Sequence, residues 1–198
     1  MKLLVFSDVH ASIEALERVR RVAKREKPDL IVCCGDWTIF GEGMEEMFFL
    51  MNDLSVPVLV ITGNHEDVNE TRETASHFPN IIFKHKQLYR HEGFVFVCYG
   101  GGGFSRREPH FVSWAAKAIK EVKKGEKLVL VTHGPPANTK LDLLFGGMHC
   151  GNVDYEAFIK RYKPKAVLCG HIHESQNNYI EKGTHFVNPG PYGVIIEL

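Results

Sequence analysis

Continuous apolar runs punctuate the chain: Leu3-Leu4-Val5-Phe6, Leu30-Ile31-Val32-Cys33-Cys34, Val56-Pro57-Val58-Leu59-Val60-Ile61, Leu128-Val129-Leu130-Val131 and Ala166-Val167-Leu168-Cys169. Short runs rich in branched side chains predict strands buried on both faces, with Pro57 at the start of the third. Between the first two runs the period changes. Ile13, Leu16, Val19, Val22 and Ala23 recur at helical spacing, predicting a helix from Ile13 to about Glu26 with Ser12 as its N-cap. Arg18, Arg21 and Arg25 share another face, expected to be solvated. Further helices are predicted around Met44–Asp53, over Phe111–Lys124 with Lys117, Lys120 and Lys124 toward solvent, and near Asp154–Tyr162. The opening βαβαβ alternation implies an α/β domain with parallel neighbouring strands.

The middle of the chain changes character. Ile81–Phe83, Gln87–Tyr89 and Phe94–Tyr99 are short β-like runs separated by turns, which suggests an antiparallel portion. Asn178–Glu181, Thr184–Val187 and Val194–Glu197 predict three more antiparallel strands, with a turn at Lys182-Gly183. The glycines from Gly100 to Gly103 lack a following Gly-Lys-Ser/Thr, so they do not form a P-loop, and a flexible turn is expected. No repeat, low-complexity tract or linker divides the sequence, which predicts one domain over residues 1–198.

Composition narrows the function classes. The chain has 198 residues, 44% hydrophobic and 24% charged, enough for a large core. Lys plus Arg and Asp plus Glu both number 24, so no global charge points to nucleic acid or an anionic membrane. The 5 cysteines form no Cys-x-x-Cys pair. Cys33, Cys34, Cys98 and Cys169 lie inside apolar runs, so buried free thiols in a reducing compartment are expected. The N-terminal run is far short of a signal segment, and no run approaches the ~20 apolar residues of a membrane span. A cytoplasmic location is the expectation.

Chemistry enters at the ends of the buried runs. Asp8 and His10, Asp36, Asn64, His133, and then His171 and His173 stand just past successive apolar strands. Ligands of open α/β sheets gather beyond the carboxyl ends of strands, so these loops should converge on one crevice. Asp, Asn and His without Cys suit divalent ions such as Mn²⁺, Fe²⁺, Zn²⁺, Ni²⁺ or Co²⁺ rather than Ca²⁺. These residues are too many for one tetrahedral ion and enough for two that share a bridging carboxylate. With Asp8 and Asp36 as the only anionic ligands, two divalent ions would keep a net positive charge. Such a site attracts a tetrahedral oxyanion and a hydroxide, which makes phosphoester hydrolysis the leading chemistry.

The series Asp8-Val9-His10, Gly35-Asp36, Gly63-Asn64-His65-Glu66, His133-Gly134 and Gly170-His171-Ile172-His173 resembles the calcineurin-like metallophosphoesterase superfamily. Asn188-Pro189-Gly190 resembles a further element of it. The resemblance implies a four-layer αββα sandwich of two mixed β-sheets flanked by helices. It implies two divalent ions, Mn²⁺ first, with Fe²⁺, Ni²⁺, Co²⁺ or Zn²⁺ as alternatives. Asp8, His10, Asp36 and His173 would hold one ion, and Asp36, Asn64, His133 and His171 the other, with Asp36 bridging. His65 would contact phosphate and assist the leaving group, so that Asp36 and His65 carry the catalysis and Asn64 and His65 meet the substrate. Arg106, Arg107 and His149 are further candidates for substrate contact. Trp37-Thr38 departs from the small apolar residues usual after that aspartate. Glu66 is expected to accept a hydrogen bond from a neighbouring imidazole. The implied activity is hydrolysis of a small phosphodiester by metal-bound hydroxide, with a phosphomonoesterase, a nuclease or a non-catalytic scaffold as alternatives. The partner is a small phosphoester, and a homo-oligomer remains open.

Overall fold

A computed structural model describes residues 1–198. The first half winds β1 (Lys2–Phe6), α1 (Ile13–Glu26), β2 (Leu30–Cys33), α2 (Met44–Asn52), β3 (Val58–Val60), α3 (Val68–Ala75) and β4 (Ile81–Phe83). The second half follows as β5 (Gln87–His91), β6 (Phe94–Tyr99), α4 (Pro109–Ala118), β7 (Lys127–Thr132), α5 (Val153–Tyr162), β8 (Ala166–Leu168), β9 (Asn177–Glu181), β10 (Thr184–Asn188) and β11 (Val194–Glu197). One sheet has the order β11-β1-β2-β3-β4, the other β5-β6-β7-β8-β10-β9.

Three apolar layers make this a four-layer sandwich. Alternate strand residues face opposite sides, so Leu3, Val5, Val32 and Leu59 meet Phe96, Cys98, Val131 and Leu168 between the sheets. Leu4, Phe6, Ile31 and Val60 point the other way, onto Leu16 and Val19 of α1 and Met47 and Phe48 of α2. Val97, Leu130 and Val167 back onto Phe111 of α4 and Tyr155 and Phe158 of α5. Burial on both faces explains why these strands lack any polar alternation. Cys33, Cys34, Cys98 and Cys169 are buried free thiols, whereas Cys150 is only half-buried.

Ser12 caps α1, its hydroxyl accepting the Ala15 N–H at 3.2 Å. Ile13 does not join the buried stripe: it is 49% exposed, and Ala15 takes its place beside Leu16, Val19 and Ala23. The sequence reading missed α3 altogether. Asp67 caps it, accepting from the Asn69 and Glu70 amides, but of its eight residues only Thr71 and Ala75 are buried, too few for a visible apolar period.

The middle strands correct the expected antiparallel portion. β4 runs parallel to β3 in the first sheet, and β5 pairs antiparallel with β6 in the second. β6 is itself parallel to β7. At the C-terminal end β9 and β10 form the expected hairpin. β11 leaves them and pairs antiparallel with β1 in the other sheet. α4 is shorter than expected, ending in one 3₁₀ turn at Glu121, so Lys124 lies beyond it.

Candidate metal centre

The loops after β1, β2, β3, β7 and β8 meet at one edge of the sandwich. Parallel neighbours put these strand ends side by side. Asp8, His10, Asp36 and His171 adopt positive φ (58°, 45°, 50° and 70°), a left-handed backbone that non-glycine residues rarely take. Strain of about 1–3 kcal/mol per residue is a feature of functional sites. Two glycines permit the close packing: a Cβ on Gly63 would overlap Asp36 Oδ1, and one on Gly170 would overlap the Ser7 hydroxyl and crowd Asp8 Oδ2.

Two clusters of donor atoms result. Asp8, His10 and His173 form one, and Asp36, His133 and His171 the other, each set within 4.8 Å. In the first, His10 Nε2 and His173 Nε2 are 3.3 Å apart, and His173 Nε2 lies 3.7 Å from Asp8 Oδ1. In the second, His133 Nε2 lies 3.2 Å from Asp36 Oδ2 and 3.1 Å from Asn64 Oδ1. His133 Nδ1 is 2.9 Å from the carbonyl of Cys34, to which it donates, and this turns Nε2 into the crevice. His10, Asp36 and His65 form a third overlapping set. Asp36 therefore borders both clusters, and His65 Nε2 sits 3.8 Å from Asp36 Oδ2.

These residues fit a pair of cations. His133 Nε2, Asp36 Oδ2 and Asn64 Oδ1 converge from three elements, and three acceptors repel unless a proton or a cation stands among them. His171 Nε2 is buried without any hydrogen-bond partner, a cost that a metal bond would remove. Its backbone N–H donates to both Asp8 oxygens at 3.1 Å, so the carboxylate is aimed from behind.

The electrostatics fit as well. Burial opposes the Asp36 charge, but the imidazole of His133 and the His65 backbone N–H outweigh it and hold the carboxyl at about 2. Burial likewise opposes a charged His133, and the Asp36 and Asp8 carboxylates overcome it, raising His133 to about 9. Burial and the neighbouring His133 push His171 down to about 4. Burial lowers His10, while the Asp8 hydrogen bond raises His173.

Glu66 corrects an expectation. Its carboxylate accepts no imidazole proton; it takes the N–H of Gly63 (2.7 Å), Asp36 (3.1 Å) and Thr38 (2.9 Å) and the Thr38 hydroxyl (2.8 Å). It ties the loops after β2 and β3 together. Trp37, unusual in sequence, is fully buried and stacks on Phe48 at 4.3 Å.

The remaining candidates have their own polar partners. Arg106 donates to the His149 carbonyl at 3.0 Å, and Arg107 lies 3.7 Å from Asp154. His149 Nδ1 meets the buried Asp142 carboxylate at 2.7 Å. The glycine run, expected to be a flexible turn, is anchored. Gly101 donates to the Thr62 carbonyl at 2.8 Å, and Gly103 packs against Asn64 and His171. Two exposed rings were not foreseen: Phe40 stacks on His65 and Phe104 stands edge-on to His171.

Residues 1–175 match the family described as calcineurin-like phosphoesterase. An uncharacterized protein of Methanocaldococcus jannaschii, MJ1162, is 30% identical over 208 aligned positions, covering 96% of this chain and 88% of that one. Among solved structures, TT1561 of Thermus thermophilus superposes with a TM-score of 0.76 at 18% identity, covering 96% of this chain and 89% of the other. A structure described as a novel archaeal phosphodiesterase gives 0.58 at 15% identity, covering 96% and 84%.

Proposed function

The chain belongs to the calcineurin-like phosphoesterase family, and on that premise we propose that it is a divalent-metal-dependent phosphodiesterase with two ions per chain. The observation that carries this is Asp36, the one carboxylate that belongs to two of the three overlapping donor sets. Asp8, His10, Asp36 and His173 would hold one ion, and Asp36, Asn64, His133 and His171 the other. Mn²⁺ is the first choice for such a nitrogen and oxygen set, with Fe²⁺, Ni²⁺, Co²⁺ and Zn²⁺ as alternatives. Bound divalent ions supply Lewis acidity and lower the pKa of water, so that a nucleophile forms near neutral pH.

The chain's own groups do the rest. Asn64 would offer a neutral amide oxygen, so that two divalent charges would be opposed only by Asp8 and Asp36. That surplus positive charge attracts a phosphate ester. His65 Nε2 faces the same space as Asp36. It would donate to a phosphate oxygen and steady the charge that builds on the leaving oxygen.

A diester is put before a monoester; of the structural neighbours one is described as an archaeal phosphodiesterase and another as a dimetal phosphatase, so the order is left to the substrate panel. A nuclease would need a basic track, and the balanced overall charge gives that reading no support. Free thiols suit a reducing compartment, which favours the cytoplasm, and no helix is long and apolar enough to cross a membrane.

The test is a panel of aryl phosphodiesters and phosphomonoesters with Mn²⁺-reconstituted protein. Diesters should turn over faster. Faster monoester turnover would replace the diester with a monoester substrate. Turnover of neither would leave the scaffold reading standing.

A further inference from the structure

Phe40 breaks two local rules at once. It is 76% exposed, a poor place for a large apolar ring. It also sits at φ 49°, followed by Gly41 at φ 87°, inside a tight turn closed by Ile39 and Glu42. Positive φ at both central positions is the type I′ arrangement, which favours Asn or Gly; a bulky residue there is an outlier. Phe40 belongs to none of the three apolar cores. Neither folding nor packing accounts for it.

Its contacts do. The Phe40 ring lies 4.1 Å from the His65 ring, tilted by only 15°. Its backbone N–H donates to His65 Nδ1 at 3.3 Å. On another side the His10 ring meets His65 edge-on at 4.8 Å. The turn that presents Phe40 is itself fixed. Thr38 is held by Glu66 through both its N–H and its hydroxyl, and the Gly41 N–H donates to the Thr38 hydroxyl at 3.2 Å.

We infer that Phe40 is a positioning residue for His65, its ring holding the imidazole plane and its N–H occupying Nδ1, so that the ring proton sits on Nε2 and faces the substrate. Turning the ring over would keep the stack but break the hydrogen bond to Nδ1. His65 then acts as a hydrogen-bond donor to phosphate through Nε2, and that bond strengthens as charge builds on oxygen. The inference rests on the proposed role of His65.

Three substitutions test it: Phe40→Asn removes the ring and suits the turn, Phe40→Leu keeps an apolar but non-planar side chain, and Phe40→Trp keeps a flat one. On a phosphodiester substrate Phe40→Asn should lose about tenfold in kcat, a misalignment effect, while KM and the bound metal stay at wild-type values. It should melt no lower than the wild type, because a strained position has been relieved. Phe40→Trp should restore turnover and Phe40→Leu should not. ¹⁵N spectra of the zinc-loaded protein should give the Nε2–H tautomer for His65 in the wild type and an averaged signal in Phe40→Asn. Wild-type kcat with an unchanged His65 signal in Phe40→Asn, or Phe40→Leu matching Phe40→Trp, would overturn the inference. His65→Ala is measured alongside. If it retains full turnover, the role of His65 itself fails; if it loses turnover while the Phe40 variants do not, only the positioning by Phe40 fails.

Discussion

Asn64 and His65 are consecutive, yet their side chains point to different partners. Asn64 Oδ1 points at His133 Nε2, whereas His65 turns toward Asp36 under the ring of Phe40. His65→Ala is therefore expected to keep both metals and lose about a hundredfold in kcat. Asn64→Ala should weaken one of the two ions by about tenfold or more, since the other ion does not use the amide. Metal analysis beside steady-state kinetics separates the two, and equal metal loss in both variants would mean His65 is a ligand. Gly63→Ala would drive a methyl into Asp36 Oδ1. It should cost about 1–3 kcal/mol in urea unfolding and lower metal affinity as well.

At the scale of elements, His85 links the β4–β5 connection to the glycine run. Its Nδ1 accepts the Gly100 N–H at 3.2 Å. Burial, reinforced by the nearby Lys86 and Arg72 charges, lowers it from 6.5 to about 4. The folded pKa lies below the unfolded one, so the unfolded chain binds the extra proton between these values. The stabilisation is complete above pH 6.5 and is lost as pH falls toward 4. His85 is only half-buried, so solvent screening reduces the effect to about 1–2 kcal/mol. Urea denaturation from pH 7 to 4.5 should show this loss, and His85→Gln should remove that part of it.

The same scale shows what the sequence made legible. Continuous apolar runs revealed the strands because both faces are buried, and the polar residues just past them revealed the crevice. The direction of β4 and the partner of β11 were invisible, because pairing partners can lie far apart in the chain and a short apolar run looks alike either way. α3 was hidden by its polar surface, although Asp67 and Glu70 mark its start. The Phe40 turn was illegible because Phe is the wrong residue for it. Local rules failed there because the ring serves His65 rather than the fold.

Across the whole molecule, the two sheets share one apolar layer, and the crevice lies where the strand ends of both meet. The proposed ligands come from both sheets, β1, β2 and β3 on one side and β7 and β8 on the other. Metal should therefore clamp the halves together. At a free concentration one hundred times Kd, each ion would add about 2.7 kcal/mol to stability. Chelation should lower the melting temperature, and Mn²⁺ should restore it. The most direct test of the dinuclear assignment is to count bound Mn²⁺ and measure phosphodiester turnover in the same samples of wild type and Asp36→Ala. Two ions per chain with turnover in the wild type, and loss of both ions' tight binding together with turnover in the variant, are the predicted result. A single ion in the wild type, or turnover surviving in Asp36→Ala, would contradict it.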